Sequence, residues 1–383
     1  MNLRTIIDNI KPNFVEGGKF SKLSSTFEAF ETFAYTPNTV TKKGSHVRDA
    51  VDLKRVLILV VFALIPALLF GMYNIGYQTF TAYGVAFTFW KCFFYGLLRM
   101  LPLIVVSYVV GLGIEFIYAE IRHEEVSEGY LVSGLIIPMI VPVTTPLWQL
   151  AIAVAFAVII GKEAFGGTGM NFLNPALIAR AFLFFSYPTH MSGDSVWVAK
   201  PFHFGGDVVT GATPLGEMMV GSTEPSVSVF NMFIGLMPGS TCETSTVAIL
   251  LGAVMLLLTG VASWRIMLSV VLGGGLMGLL FNAIGANAYM QLPFYYHFLM
   301  GGFMFGAVFM ATDPVTSAQT NCGKWIYGLL IGAFAVLLRV VNPAYPEGMM
   351  LAILLMNCFA PLIDHCVVAA NIKRRKNRVQ VTA

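Results

Sequence analysis

Charge is what this chain has least of. Of its 383 residues only 11% are Asp, Glu, Lys or Arg, less than half of the roughly 25% typical of a soluble domain. That shortfall excludes an ordinary water-soluble globule. Cysteine is equally thin: Cys92, Cys242, Cys322, Cys358 and Cys366 are scattered, with no CxxC pair. An odd, dispersed count argues against a disulfide framework and against a zinc or iron–sulfur site within the chain. The six histidines are dispersed too, and no metal or haem site follows from them. No GxGxxG opens a βαβ unit, so the dinucleotide-binding fingerprint is missing. The opening MNLRTIIDNIKPNF lacks the apolar core of a signal peptide.

What remains is apolar. Hydrophobic residues make up 57% of the chain and the mean hydropathy is +0.75. Apolar runs fall at about 56–73, 100–119, 130–143, 147–161, 175–187, 246–259, 265–282, 294–311, 325–341 and 348–368. Roughly 20 apolar residues cross a bilayer, so the pattern predicts an all-α integral membrane protein with about ten transmembrane helices. The runs at 130–143 and 175–187 are too short for a straight crossing and are bounded by proline. Such pieces suggest tilted or broken helices buried in protein or lining a cavity. Residues 1–54 precede the first run, with Phe27, Phe30 and Phe33 on one helical face, and predict an arm packed on a neighbour or at the membrane interface.

The charges orient the segments. The tail carries Lys373, Arg374, Arg375, Lys376 and Arg378 with no acid. Directly after an apolar helix, such a run marks the cytoplasmic side rather than nucleic-acid binding. Ten crossings then return the N-terminus inside, and put Arg122, Lys162, Arg265 and Lys324 inside as well; Lys91 is an exception. The interval 188–245 falls outside, with Lys200 against Asp194, Asp207, Glu217, Glu224 and Glu243. The expected organisation is an arm (1–54), a first bundle (55–187), an extracytoplasmic loop (188–245), a second bundle (246–370) and a basic tail (371–383). The two bundles echo each other. PVT at 142–144 precedes NPA at 174–176, and PVT at 314–316 precedes NPA at 342–344, as in a duplicated bundle with a site between its repeats. The glycines at 273–275, 278, 301, 302 and 306 predict close helix packing.

One polar stretch stands out in the outer loop: DVVTGATPLGE, Asp207 to Glu217. Spacing alone predicts a capped turn, with Thr213 as N-cap and Pro214 at the first helical position. The same stretch resembles the signature Asp-x-x-Ser/Thr-Gly-Ala-Thr, at which a flavin transferase moves FMN from FAD onto the final threonine as a phosphoester. A hydroxyl that attacks phosphorus has to be unhindered, and Gly211 and Ala212 keep bulk away. Three carboxylates sit at the ends of apolar runs: Glu128, Asp313 and Asp364. Intramembrane carboxylates are functional candidates by default. Asp313-Pro314 also reads as a helix cap, and Asp364 as a partner for the basic tail. Repeats, broken helices and carboxylates would equally suit a secondary transporter or channel.

Further stretches carry a resemblance over nearly the whole chain: FGGTGMNFLNPALIARAFLFFSYP (165–188), MPGSTCETSTVAILLGA (237–253), SWRIMLSV (263–270), MATDPVTS (310–317) and RVVNPAYPEGMMLAILLMNCFAPLID (339–364). The sequence resembles the B-subunit family of Na+-translocating NADH:quinone oxidoreductases. The related D subunits of Rnf ferredoxin:NAD oxidoreductase complexes usually lack so long an N-terminal arm. The resemblance implies covalent FMN on Thr213, with Thr210, Gly211 and Ala212 as its motif and Asp207 as the transferase-recognition acid. It also implies a second, non-covalent flavin, riboflavin, near Asn171 and Asn174, whose amides can meet donor and acceptor edges together. Asn174-Pro175 reads equally as an ordinary N-cap. The GGTG glycines then serve a tight turn or stacking, since riboflavin has no phosphate. The implied activity is electron transfer through flavins to a quinone such as ubiquinone, coupled to Na+ export across a bacterial inner membrane. Glu128, Asp313 and Asp364 would lie on the inner ion-uptake side. The implied partners are an NADH-oxidising subunit with FAD and an iron–sulfur cluster, a second subunit with covalent FMN, a flavin transferase for maturation, quinone and lipid.

Overall fold

In the computed structural model the described residues are 53–122, 129–199, 211–222, 224–342 and 347–381, with scattered positions before 53. Glu128, Asp207, Thr210, Phe30 and Phe33 lie outside them; Phe27 is described and stacks on Phe14 at 4.6 Å. The fold is all-α, with no strand among the described residues, as expected where backbone groups have no water to bond. It is a multi-pass membrane protein.

Ten apolar segments make up the described bundle. Helices α1 (Leu53–Ala82) and α2 (Phe89–Arg122) are long antiparallel neighbours. Then follow α3 (Tyr130–Ile140), α4 (Leu147–Ile159) and α5 (Pro175–Ser186). After the short α6 (Pro214–Met219) come α7 (Thr246–Leu258) and α8 (Trp264–Ile284). The broken segment α9 comprises Phe303–Phe305 and a π turn, Gly306–Met310. The last pair is α10 (Asn321–Val341) and α11 (Met349–Val381). Six helical stretches are long and apolar enough to cross a membrane, while α3, α5 and α7, of 11, 12 and 13 residues, are not.

Proline sets the breaks. Val141 turns extended (φ −95°, ψ 157°) immediately before Pro142, because the residue before proline avoids the helical region. The carbonyls freed at the end of α3 are taken up inside the protein. Thr241 Oγ1 donates to Pro138 O at 2.6 Å, and the Cys242 amide donates to Met139 O at 2.9 Å. Further along, the apolar run 294–311 is not one helix. It breaks at Met300–Gly302, where Gly301 adopts φ +63°, between a single helical turn, Tyr296–Leu299, and the helical piece 303–310. Hydropathy does not register such a break, since the residues on both sides are apolar.

Glycine brings α8 and α10 into backbone contact: a Cβ on Gly273 or Gly332 would collide with the carbonyls of Leu329 or Val270. The described basic tail is no separate coil. Lys373 to Arg378 continue α11 as an exposed helix. The bundle has two distinct ends. At the basic end, residues 115–122, 162–174 and 313–324 meet; at the loop end, 138–142 and 237–244 meet, together with 297–301 and 347.

Candidate functional site

Each end holds a cavity. The loop-end cavity has a volume of about 290 Å3, and Thr213 is on its lining. Thr213 is the N-cap of α6 (φ −79°, ψ 152°), and its Oγ1 accepts from the Gly216 amide at 3.0 Å. Pro214 takes the first helical position, where its missing N–H costs nothing. The Gly211 amide donates to Asp194 O at 2.9 Å, tying the TGAT stretch to the 191–197 turn. A Cβ on Gly211 would stand 3.2 Å from Val198 Cγ2, so the motif's glycine fits closely against its support. Thr213 itself is half-buried. The capped turn is therefore formed, and it holds Thr213 on the lining of the cavity.

The floor of this cavity is charged. Arg180, from the middle of α5, is 5% exposed; its Nη1 donates to Glu243 Oε1 at 2.7 Å and its Nη2 to Ser240 Oγ at 3.1 Å. Arg180 also pairs with Glu347, which is 20% exposed. Arg339 lies behind the floor, wholly buried. Its Nε donates to Glu347 O at 2.9 Å, its Nη1 to His297 O at 2.6 Å, and its guanidinium sits over Phe303 at 5.6 Å. Arg180 thus has two carboxylates, as burial demands, because an unpaired ion there costs several kcal/mol, whereas Arg339 is held by the backbone carbonyls of Glu347 and His297. None of these four residues was singled out by pattern. The available signal was a lone arginine inside an apolar run, ALIARAFLFF or AVLLRVV, and such an ion is by default a functional candidate.

The basic-end cavity is smaller, about 120 Å3, and is lined in part by Lys162, Asn171, Asn174, Phe309 and Asp313. Asn174 caps α5, its Oδ1 accepting from the Ala176 and Leu177 amides at 3.0 and 3.4 Å. Its Nδ2 reaches across to Asp313 Oδ2 at 3.1 Å, so the first NPA meets the aspartate that precedes the second PVT. Asp313 does not start a helix. It closes a turn, accepting from the Val315 amide and the Thr316 hydroxyl at 3.1 and 3.0 Å. Burial pushes the Asp313 carboxyl up, while these donors and Asn174 pull it back. Asn171 spends its amide on its own loop, accepting from Gly169 N at 3.3 Å and donating to Leu173 O at 3.0 Å. That loop needs its glycines: Gly166, Gly167 and Gly169 have φ of +113°, +90° and +93°, a region other residues rarely enter. Beside the cavity, Lys162 pairs with Glu115, both almost fully buried within the protein. Pattern did not single out this pair either.

Asn342 does not repeat the role of Asn174. It follows α10 as its C-cap. Asp364 stands apart from the cavity and does not pair with the tail. It accepts from Gln319 N at 2.6 Å, from Thr320 N at 3.0 Å and from Thr320 Oγ1 at 2.5 Å, which fixes the start of α10. One helix links the two cavities. Asn174 and Pro175 border the smaller one, Arg180 and Phe184 the larger, and six residues along α5 amount to about 9 Å.

The model of the NQR2, RnfD, RnfE family matches residues 40–373. The chain is 47% identical over 404 residues to the B subunit of the Na(+)-translocating NADH-quinone reductase of Chromohalobacter salexigens, covering 99% of this chain and 97% of that one. It is 47% identical over 407 residues to the same-named protein of Azotobacter vinelandii, and 46% identical to that of Pseudomonas aeruginosa, each match covering 99% of this chain and all of the relative. The chain belongs to the NQR2, RnfD, RnfE family.

Proposed function

We propose that this chain is the B subunit of a Na+-translocating NADH:quinone reductase and carries FMN as a phosphoester on Thr213. The observation that carries this reading is the placement of Thr213: it stands on the lining of a cavity with an apolar wall and a charged floor. Small-molecule sites are of about 300–1,000 Å3 and mostly apolar, with a few convergent polar groups, and the loop-end cavity meets that description at its lower limit. The full-length likeness to B subunits supports the quinone-reducing complex over an Rnf complex. A transporter without cofactors would have no use for a TGAT threonine at such a cavity.

The protein's share of the work is binding and placement; the flavin, when bound, supplies one-electron chemistry between its partners. Thr213 Oγ1 supplies the attachment atom. Its hydrogen bond from Gly216 uses a lone pair, so the hydroxyl proton remains to be released on esterification. Arg180 and Ser240 present polar hydrogens at the floor, and Phe184, Trp197 and Met219 exclude water from the wall. Asp207 and Thr210 complete the motif that a flavin transferase would read. NADH would be oxidised on a partner subunit, since this chain has no nucleotide fingerprint.

Riboflavin is a different case. Asn171 and Asn174 each retain hydrogen-bonding capacity beyond the bonds described, but about 120 Å3 is well below the size of a ligand site. The residues suit the ring's edge; the cavity does not suit its volume. Na+ is cargo, and the oxygen atoms of Asp313 and Asp364 are the candidate ligands for it at the basic end. In-gel fluorescence tests the central assignment. The wild-type band should fluoresce after denaturation, and Thr213→Ala should lose the signal while the complex still assembles. A dark wild-type band from cells that make the transferase would refute covalent flavin.

A further inference from the structure

The floor of the loop-end cavity holds a donor and an acceptor that its own hydrogen bonds do not use. Arg180 fixes both. Its Nη2 donates to Ser240 Oγ at 3.1 Å and pairs with Glu347 Oε1, so a hydroxyl and a carboxylate stand side by side on one nitrogen. All three residues are on the cavity lining. A hydroxyl has one proton and two lone pairs. The arginine takes a lone pair of Ser240, and no acceptor among the described residues takes its proton. Glu347 gives Oε1 to Arg180, and no donor among the described residues reaches its Oε2. At 20% exposed, Glu347 is also the most open charged side chain of the floor, beside 5% for Arg180 and 4% for Glu243. Buried polar groups are almost always satisfied, so an unused donor next to an unused acceptor calls for a partner that offers both.

The cavity itself is two-sided, since Trp197, Leu215, Met219 and Val220 form an apolar wall away from that floor. An isoalloxazine ring divides in the same way. Its dimethylbenzene end has no hydrogen-bonding atom, and its pyrimidine end carries two carbonyl oxygens with an N–H between them. Resting on the assignment of FMN to Thr213, we propose that Ser240 and Glu347 bind the pyrimidine edge of that flavin. The Ser240 hydroxyl donates to a ring carbonyl, and Glu347 Oε2 accepts from the ring N–H. Arg180 acts through both as a positioning residue: it commits the hydroxyl to donating and holds the carboxylate beside it. The opposite orientation would set the dimethylbenzene end on a carboxylate and leave donor and acceptor without partners. The two contacts pull the reduction potential in opposite directions. Reduction adds negative charge to the carbonyl edge, which the Ser240 donor stabilises and the Glu347 charge opposes.

The test is a spectroelectrochemical titration of the flavin on Thr213 in the purified whole complex, with infrared difference spectra of its oxidised and reduced forms. Ser240→Ala should lower the midpoint by about a threefold change in the oxidised-to-reduced ratio, about 28 mV for a one-electron couple. The flavin carbonyl stretch should also move to higher frequency, a shift that a merely structural serine would not cause. Glu347→Gln keeps an acceptor for Arg180 and removes the charge, and should raise the midpoint by about tenfold, about 59 mV. Where Glu347→Gln prevents assembly, Ser240→Ala decides alone. An unmoved midpoint and carbonyl band in Ser240→Ala, with in-gel fluorescence at the wild-type level, would overturn the proposal, even where Glu347→Gln shifts the midpoint through charge alone. That result differs from failure of the covalent assignment, in which the wild-type chain itself shows no flavin.

Discussion

At the scale of the residue, the proposed function gives one oxygen of Thr213 two uses. Oγ1 caps α6 through a lone pair and lies at the cavity's edge, where the proposed ester would form. The sequence makes both uses visible, because the capping signal and the TGAT signal are written in the same letters. Arg180 and Arg339 were legible only as oddities. The carboxylates that pair with Arg180, Glu243 and Glu347, are 63 and 167 residues from it, and no local periodicity connects them. Asp364 shows the opposite limit: its place at a helix near the basic tail suggests an ion pair, yet three donors from residues 319–320 hold it. This sets up a discriminating pair of substitutions. Asp364→Asn keeps an acceptor for Thr320 and removes the charge, whereas Asp364→Ala removes both and gives up the bonds from Gln319 and Thr320, each worth about 0.5–1.5 kcal/mol. If the carboxylate serves Na+ uptake, Asp364→Asn raises the sodium concentration for half-maximal quinone reduction with flavin content unchanged. Normal sodium dependence in Asp364→Asn, beside a lowered melting temperature in Asp364→Ala, would make it an anchor alone.

At the scale of the element, the short helices are the informative ones. Their existence was readable from proline and from run length: Pro142 ends α3, and Pro175 with its Asn174 cap begins α5. What α5 does was not readable, because its importance lies in touching a cavity at each end. The break in α9 was hidden for a related reason, since glycine at 301 is compatible with a continuous apolar helix until tertiary contacts select φ +63°. Glycine also sets the α8–α10 contact. Gly332→Leu would drive a side chain into the Val270 carbonyl and the Gly274 amide, and overpacking of this kind costs typically 1–3 kcal/mol. A drop in the thermal midpoint of the detergent-solubilised complex is the expected result. An unchanged midpoint would mean that the two helices do not meet backbone to backbone.

At the scale of the whole molecule, the two cavities lie at opposite ends of one bundle, with α5 between them. Ten segments and the placement of lysine and arginine predict that the Thr213 end faces the outside and the tail the cytoplasm. A cysteine introduced at Ser192 should therefore react with an impermeant thiol reagent in intact cells, and one at Asn377 should not. The reverse pattern would put the attachment site, and with it electron entry, on the cytoplasmic side. In the proposed function, the place of electron entry depends on one bond. The most direct measurement is mass spectrometry of the peptide spanning residues 201–220, from chain purified out of cells that contain the flavin transferase. An FMN phosphoester on Thr213, absent from Thr210 and lost in Thr213→Ala, is the predicted result; an unmodified Thr213, or FMN on Thr210, would contradict it.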